Sequence, residues 1–384
     1  MKVCMIAYAH YYTDARIKAY VKLIEKHGGS ADILVLKERE GQDVETIGKS
    51  RIFYLMEKYQ GNSSLFYILS YIHFFIRAFI KLNILYIRER YSAVHVHNMP
   101  NFIIFTSLVP RLFGIKVILD IHDLMPAIYM TKFNITKTNS LLKRMLLLEQ
   151  RLSIKFATHV ICADHMQLEY LRDSCDISDN KVTVIMNLPY DDTFKYVKNE
   201  RNNKPLKLVY HGTIAKRLGI DILLRAVALV KNTVQVHVSI YGSGDFLEKA
   251  LALKKELGLE ENVFFSRSFF PVEKIPEIVS NMDVGVVPNR KNQATDRFMM
   301  PVKLMEYVFL QIPVIAPRLS IIKYYFDETM IKFFDPENIE DLGRCIVDLC
   351  KNPEERWQLV RNANVFFKKY NWKDQEKKYL KLLQ

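Results

Sequence analysis

Pro301-Val-Lys-Leu-Met-Glu306-Tyr307 places a cation and a carboxylate three residues apart at a predicted helix start. Pro301 suits the first helical position, where its missing N–H costs nothing. The backbone N–H groups of Val302, Lys303 and Leu304 then point out of the helix end as an anion site, and Lys303 and Glu306 share one face. That set suits a nucleoside diphosphate, with amides and lysine on the phosphates and Glu306 accepting from ribose hydroxyls. It also suits an ordinary surface Lys–Glu pair. A second strand-to-helix loop, His211-Gly-Thr-Ile-Ala-Lys216-Arg217-Leu-Gly219, carries two cations between glycines. Gly212 would let backbone approach a ligand closely, Thr213 and Lys216 line the same loop, and Arg217 could fork onto phosphate oxygens. A tight turn with solvated cations fits equally. Tyr241-Gly242-Ser-Gly244 resembles the start of a dinucleotide fingerprint, but Leu247 stands where the third glycine belongs.

Earlier in the chain, Leu119-Asp-Ile-His122-Asp123 ends a strand and sets a histidine and a carboxylate at its edge, where His122 could act on a substrate hydroxyl or be satisfied by local backbone. Asp14 and Arg16 follow the first strand, as substrate contacts or as a helix cap beside a solvated arginine. His95 and His97 alternate on one strand face with no third metal ligand in view. No Asp-x-Asp occurs anywhere, so a metal-bridged diphosphate is not expected, nor is any cofactor.

The elements that must hold these residues alternate: short β-branched runs with longer helical patterns. Strands are predicted at Lys2–Ala7, Ala31–Leu36, Ile52–Leu55, Ala93–His97, Lys116–Ile121, His159–Cys162 and Lys181–Ile185. Helices are predicted at Asp14–His27, Leu65–Leu82, after Pro100 and at Ser140–Phe156. The pattern restarts at Leu206–His211 and runs to a strand at Pro313–Ala316, after which three helical stretches close the chain. It implies parallel sheets covered on both faces. The polar stretch 191–205 reads as a linker between an α/β domain over 1–190 and another over 206–367, with the last helix, about 368–384, completing the first. The 384 residues suit two such domains. Five scattered cysteines without metal or disulfide spacing suit a reducing cytoplasm. The first residues form too short an apolar run for a signal peptide.

In order and spacing, these junctions resemble family-4 retaining glycosyltransferases (glycosyl transferases group 1) of the GT-B fold. The anchors are Asp14-Ala-Arg16, Val94-His-Val-His-Asn-Met-Pro100, Asp120-Ile-His-Asp-Leu-Met-Pro126, His211-Gly-Thr with Gly219-Ile-Asp, Ile240-Tyr-Gly-Ser-Gly244, and Pro301-Val-Lys-Leu-Met-Glu306-Tyr with Pro313-Val-Ile-Ala316. The resemblance implies an α/β protein of two Rossmann-like domains facing across a cleft, acceptor on the N-terminal domain and nucleotide sugar on the C-terminal one. It matches Glu306 to the ribose-binding glutamate and His122 to a histidine near the transferred sugar. Arg217 and Lys303 lie where the family holds the diphosphate, although Thr213 and Leu218 alter the usual Gly-Arg…Lys-Gly pattern. Phe298 stands where members often carry a sugar-contacting glutamate, with Asp296 close by.

The expected reaction is retaining, metal-independent sugar transfer to a saccharide or lipid-linked acceptor in surface polysaccharide or glycolipid synthesis. Two alternatives remain: a sugar-nucleotide 2-epimerase of the same fold, and a non-catalytic nucleotide-sugar-binding subunit. The net charge of +13 is uneven, with 14 Lys or Arg against 5 Asp or Glu over 51–155. No nucleic-acid-binding module is recognised, so an anionic membrane surface is the preferred acidic partner. Arg77 and Lys81 argue against the 65–82 helix spanning a bilayer. Burial of that helix is slightly favoured when it is taken alone.

Overall fold

A computed structural model of the protein describes residues 1–61, 63–132, 141–190, 194 and 205–384. The chain divides into two compact units, Met1–Asn187 with Lys373–Gln384, and Leu188–Trp372. The segment read as a linker, 191–205, lies outside the described residues except for Phe194 and Pro205.

In the first unit, eight strands form one sheet: β1 (Lys2–Ile6), β2 (Ser30–Leu36), β3 (Val44–Ile47), β4 (Ser50–Met56), β5 (Ala93–His97), β6 (Lys116–Ile121), β7 (His159–Cys162) and β8 (Val182–Val184). Their order is β3-β4-β2-β1-β5-β6-β7-β8, and only β3 runs antiparallel to its neighbour. Helices cover both faces, so β1 and β5 read as near-continuous apolar runs rather than alternating ones. Ile17, Tyr20, Val21 and Ile24 of the helix Ala15–Lys26 pack into a core that also takes Tyr379 and Leu383 from the last helix, Trp372–Leu383.

The second unit carries six parallel strands: β9 (Leu206–His211), β10 (Val236–Tyr241), β11 (Val263–Phe265), β12 (Val284–Val286), β13 (Val314–Pro317) and β14 (Lys332–Phe334), in the order β11-β10-β9-β12-β13-β14. The direction of strand addition reverses between β1 and β5 in the first sheet and between β9 and β12 in the second. Ligands of such sheets bind beyond the C-terminal strand ends at that reversal. These ends are the 7–14 and 97–98 loops in one unit and the loops after His211 and Val286 in the other.

Several elements depart from the sequence reading, among them the unexpected short helices Met125–Lys132 and Gln293–Arg297. β3 was not expected: Val44-Glu-Thr-Ile47 is short and largely solvent-facing, and it forms because the Gly48–Lys49 turn folds it back onto β4. β14, Lys-Phe-Phe, is too brief to show a period and sits inside what was read as helix. The apolar helix is longer than expected, running Ser64–Arg88.

Candidate functional site

The second unit gathers its candidate residues around the end of β9. The helix Val302–Phe309 follows Pro301, which takes the capping position with φ −67° and ψ 113° rather than the first helical one. This changes the expected anion site. The Leu304 N–H donates to Pro301 O at 3.0 Å and the Leu304 side chain is fully buried, so Leu304 is not available to a ligand. Among the described residues the N–H groups of Val302 and Lys303 have no protein acceptor, and they keep the exposed helix start polar and open.

Lys303 is half-buried, its ammonium 4.1 Å above the Tyr210 ring. No carboxylate pairs with it among the described residues. Burial pushes its pKa down to about 7, with Glu306 opposing the shift and Arg217 adding to it. Holding a partly desolvated cation without a paired carboxylate is costly, and an anion bound here would offset that cost. Gly212, at φ +110°, lies against it: a Cβ there would stand 3.5 Å from Lys303 Cε, in ordinary contact, so the glycine is required by its backbone conformation rather than by space.

Glu306, expected to face ribose hydroxyls, is buried, and its Oε2 is 2.6 Å from His211 Nε2. The other ring nitrogen of His211 is 3.0 Å from the Tyr307 hydroxyl, which also accepts the His211 backbone N–H at 3.2 Å. The helix Val302–Phe309 is thereby bolted to the end of β9 by two consecutive side chains. One carboxylate oxygen of Glu306 stays outside this chain and fixed in direction. Sequence reasoning gave His211 no role; its place one residue before Gly212 at a strand end was the available signal.

The neighbouring loops are equally constrained. Gly242, at φ +151°, brings its loop so near that a Cβ would meet Gly212 O at 1.9 Å. Lys216 and Arg217 lie on a single 3₁₀ turn, Lys216–Leu218, with exposed side chains. Arg290, unforeseen from the sequence, holds that turn: its N–H donates to Arg217 O at 3.0 Å and its Nε to Lys216 O at 3.2 Å. Asp221 and Glu337 in turn pair with Arg290. Thr213 is exposed beside them. Tyr241, Phe269, Phe270, Ile275, Ile278 and Val279 line a partly open, shallow pocket of about 50 Å³ adjoining His211 and Gly212. Its apolar, aromatic lining suits a flat heterocycle.

Phe298 is buried at the end of the short helix Gln293–Arg297. Asp296 does not replace the missing glutamate, because its carboxylate accepts from Ser320 N and Oγ at 2.9 and 3.0 Å.

In the first unit the backbone of His122 and Asp123 is pinned. Asn98 Oδ1 accepts from both N–H groups, at 3.2 and 3.4 Å, and Gln167 Nε2 donates to His122 O at 3.1 Å. The His122 ring nitrogen Nδ1 is buried and has no hydrogen-bond partner among the described residues.

Asp14 and Arg16 sit otherwise than a pair of substrate contacts would. Asp14 caps the helix Ala15–Lys26 through Ile17 N at 3.0 Å. Arg16 turns inward and forks onto Asp120, Nε to Oδ2 at 2.7 Å and a terminal nitrogen to Oδ1 at 2.8 Å, with further bonds to Ile185 O and Asn187. Asp120 also supplies the third group that His95 and His97 lacked in the sequence, the ligand-type atoms of all three lying within 4.8 Å. Both carboxylate oxygens are taken by Arg16, however, and a divalent ion would have to displace that cation. Burial would raise the Asp120 pKa, but Arg16, with the two histidine rings close by, holds it well below its usual value. Burial, with His97 adding, lowers His95 to about 3, so it is neutral. The cluster reads as a buried brace.

Two family models match the chain: Glycosyltransferase Family 4 over residues 25–188 and Glycosyl transferases group 1 over 205–352. The chain belongs to the family-4 glycosyltransferases. Solved structures agree on the fold of this transferase, which is GT-B. Sucrose-phosphate synthase from Thermosynechococcus elongatus matches with a TM-score of 0.79 at 16% identity, over 99% of this chain and 98% of that one. HepE from Anabaena, in complex with UDP and glucose, matches with 0.73 at 14%, over 100% and 99%. A TarM variant from S. aureus, in complex with Fondaparinux, alpha-GlcNAc-glycerol and UDP, matches with 0.71 at 12%, over 100% and 99%. No protein of curated function matches the transferase in sequence.

Proposed function

We propose that the transferase moves a sugar from a UDP-sugar to a saccharide or lipid-linked acceptor with retention of anomeric configuration and without a metal or cofactor. The observation that carries this reading is Lys303: a half-buried ammonium with no carboxylate partner among the described residues, beside two open helix N–H groups and against a glycine. A pyrophosphate supplies the missing charge. Arg217 adds a second cation from a braced turn, the free oxygen of Glu306 takes a ribose hydroxyl, and the aromatic pocket at Tyr241, Phe269 and Phe270 takes the base. Uracil is the favoured base because the HepE and TarM structures hold UDP.

In the proposed reaction the bond from the anomeric carbon to the diphosphate oxygen breaks as the acceptor oxygen bonds on the same face. The hydroxyl proton passes to the departing phosphate oxygen. Lys303, Arg217 and the helix N–H groups stabilise the charge that develops on the diphosphate, which is the role a metal ion would otherwise fill. His122 orients the transferred sugar, with Asp123 beside it. The five thiols, none in a disulfide, suit the cytoplasm as the proposed place of action, and the proposed use is surface polysaccharide or glycolipid synthesis.

Incubating the protein with labelled UDP-sugars and a panel of saccharide and polyprenyl-linked acceptors tests the proposal. Acceptor-dependent transfer is expected, with the anomeric configuration kept in the product and rates unaffected by EDTA. Isomerisation of the donor sugar without acceptor would instead indicate an epimerase. Tight UDP binding with no turnover would indicate a binding subunit, the reading that the buried Phe298 favours.

A further inference from the structure

The helix Ser64–Arg88 is apolar on the side that faces away from the sheet as well as on the side that packs. Ser70, Phe74, Ala78, Leu82 and Leu85 are buried against the first unit. The opposite side exposes Leu65, Leu69, Ile72, Ile76, Ile80, Ile84 and Ile87 in one column, from 44% at Ile72 to 85% at Ile87. At 1.5 Å per residue the column is roughly 33 Å long. Neighbouring elements extend it. Phe75 meets Phe102 of the 3₁₀ helix Asn101–Ser107, and Phe105 of that helix meets Phe156 at the end of the helix Leu141–Phe156. That last helix exposes a stripe of its own, Leu141, Met145, Leu148 and Leu152, and Leu112 and Phe113 stand open between them. Soluble monomers rarely carry so long an apolar surface uncovered.

The charge around it names the occupant. The helical segments Ser64–Arg88, Asn101–Leu112 and Leu141–Phe156 hold eight Lys or Arg and a single carboxylate, Glu149. Glu149 is turned inward, accepting from Asn101 Nδ2 at 2.8 Å. Arg144, Arg151 and Lys155 flank the stripe and are exposed. A second copy meeting this face across a two-fold axis would oppose like charges. An anionic lipid surface meets apolar columns and basic flanks at once.

By length and composition Leu65–Arg88 could cross a bilayer. Its packing argues for lying on one instead: Arg77 donates to Leu55 O, and Lys81 stands 4.4 Å over the Phe53 ring, both on β4. We infer that this face of the first unit docks in the plane of an anionic membrane, with the isoleucine column inserted among acyl chains and the basic flanks on the headgroups. The slight preference for burial drawn from the sequence does not hold for this helix, since only 22% of its most apolar window is buried.

Sedimentation of the full chain with vesicles tests the inference. Binding to phosphatidylcholine vesicles containing phosphatidylglycerol at low salt is expected, falling at high salt and weak on phosphatidylcholine alone. Ile76→Asp with Ile80→Asp, both at exposed positions, should reduce binding by roughly tenfold or more. Arg144→Glu with Lys155→Glu should reduce it by a similar order and flatten the salt dependence. Unchanged melting of both variants keeps the result free of misfolding. Absence of binding to anionic vesicles overturns the inference. So does a concentration-dependent dimer that Ile76→Asp dissolves in the absence of lipid, which would assign the face to a second copy. Neither outcome bears on UDP-sugar binding, which resides in the other unit.

Discussion

At the scale of single residues, the proposed site concentrates in charges that the fold leaves incomplete. Lys303 is the clearest case. Replacing it by Gln removes the charge while nearly keeping the volume, and should weaken UDP-sugar binding by about 2 kcal/mol, roughly thirtyfold, as expected for a charge-assisted contact. Glu306 needs two substitutions to separate its roles. Glu306→Ala takes away the partner of His211 and should lower both melting temperature and transfer. Glu306→Gln keeps a hydrogen-bonding side chain at His211 and should leave the melting temperature within a few degrees while transfer falls about 10²-fold. Equal transfer by Glu306→Gln and the parent would remove Glu306 from the proposed site. The types Lys, Glu, Gly and His were legible in the sequence because their spacing coincides with a strand end and a helix start. The direction of Glu306 was not legible, because the His211 partner lies 95 residues away.

At the scale of elements, the site depends on how closely the two loops after β9 and β10 approach. Gly242→Ala places a methyl group against Gly212 O, so the loops must separate; a loss of about 3 kcal/mol or more and abolished donor binding are expected in thermal melts with and without UDP-glucose. In the first unit the Arg16–Asp120 fork joins the start of the helix Ala15–Lys26 to β6. Arg16→Met leaves a buried carboxylate beside two histidines and should cost about 3–5 kcal/mol by chemical denaturation. A mild effect would mean that Arg16 is not a brace and would return it to the list of substrate contacts. Elements with a clear apolar period, such as Leu206–His211 and Leu141–Phe156, were readable within a residue or two. β3 and β14 were not, because three or four residues carry no period and form only through their partners.

At the scale of the whole molecule, the chain returns to its beginning. Met186 N donates to Gln375 at 3.1 Å, and Tyr379 stacks on Tyr20 at 4.1 Å and reaches His95 Nδ1 at 2.8 Å. Truncation after Trp372 should therefore destabilise the first unit, although the removed segment is distant in sequence, and a melting temperature equal to that of the full chain would refute this. The two-unit division was legible because a strand–helix alternation stops and restarts. The open apolar face was not, since periodicity shows that a helix has an apolar side but not what covers it. The central claim, a pyrophosphate held by Lys303, has its most direct test in calorimetric titration of UDP-glucose between pH 6 and about 9 in buffers of different ionisation enthalpy. With the free lysine near pH 7, the diphosphate favours its charged form, so the account predicts weakening affinity and proton uptake on binding as pH rises above 7. Both effects should be absent in Lys303→Gln. The same pH profile and proton uptake in that variant would contradict it.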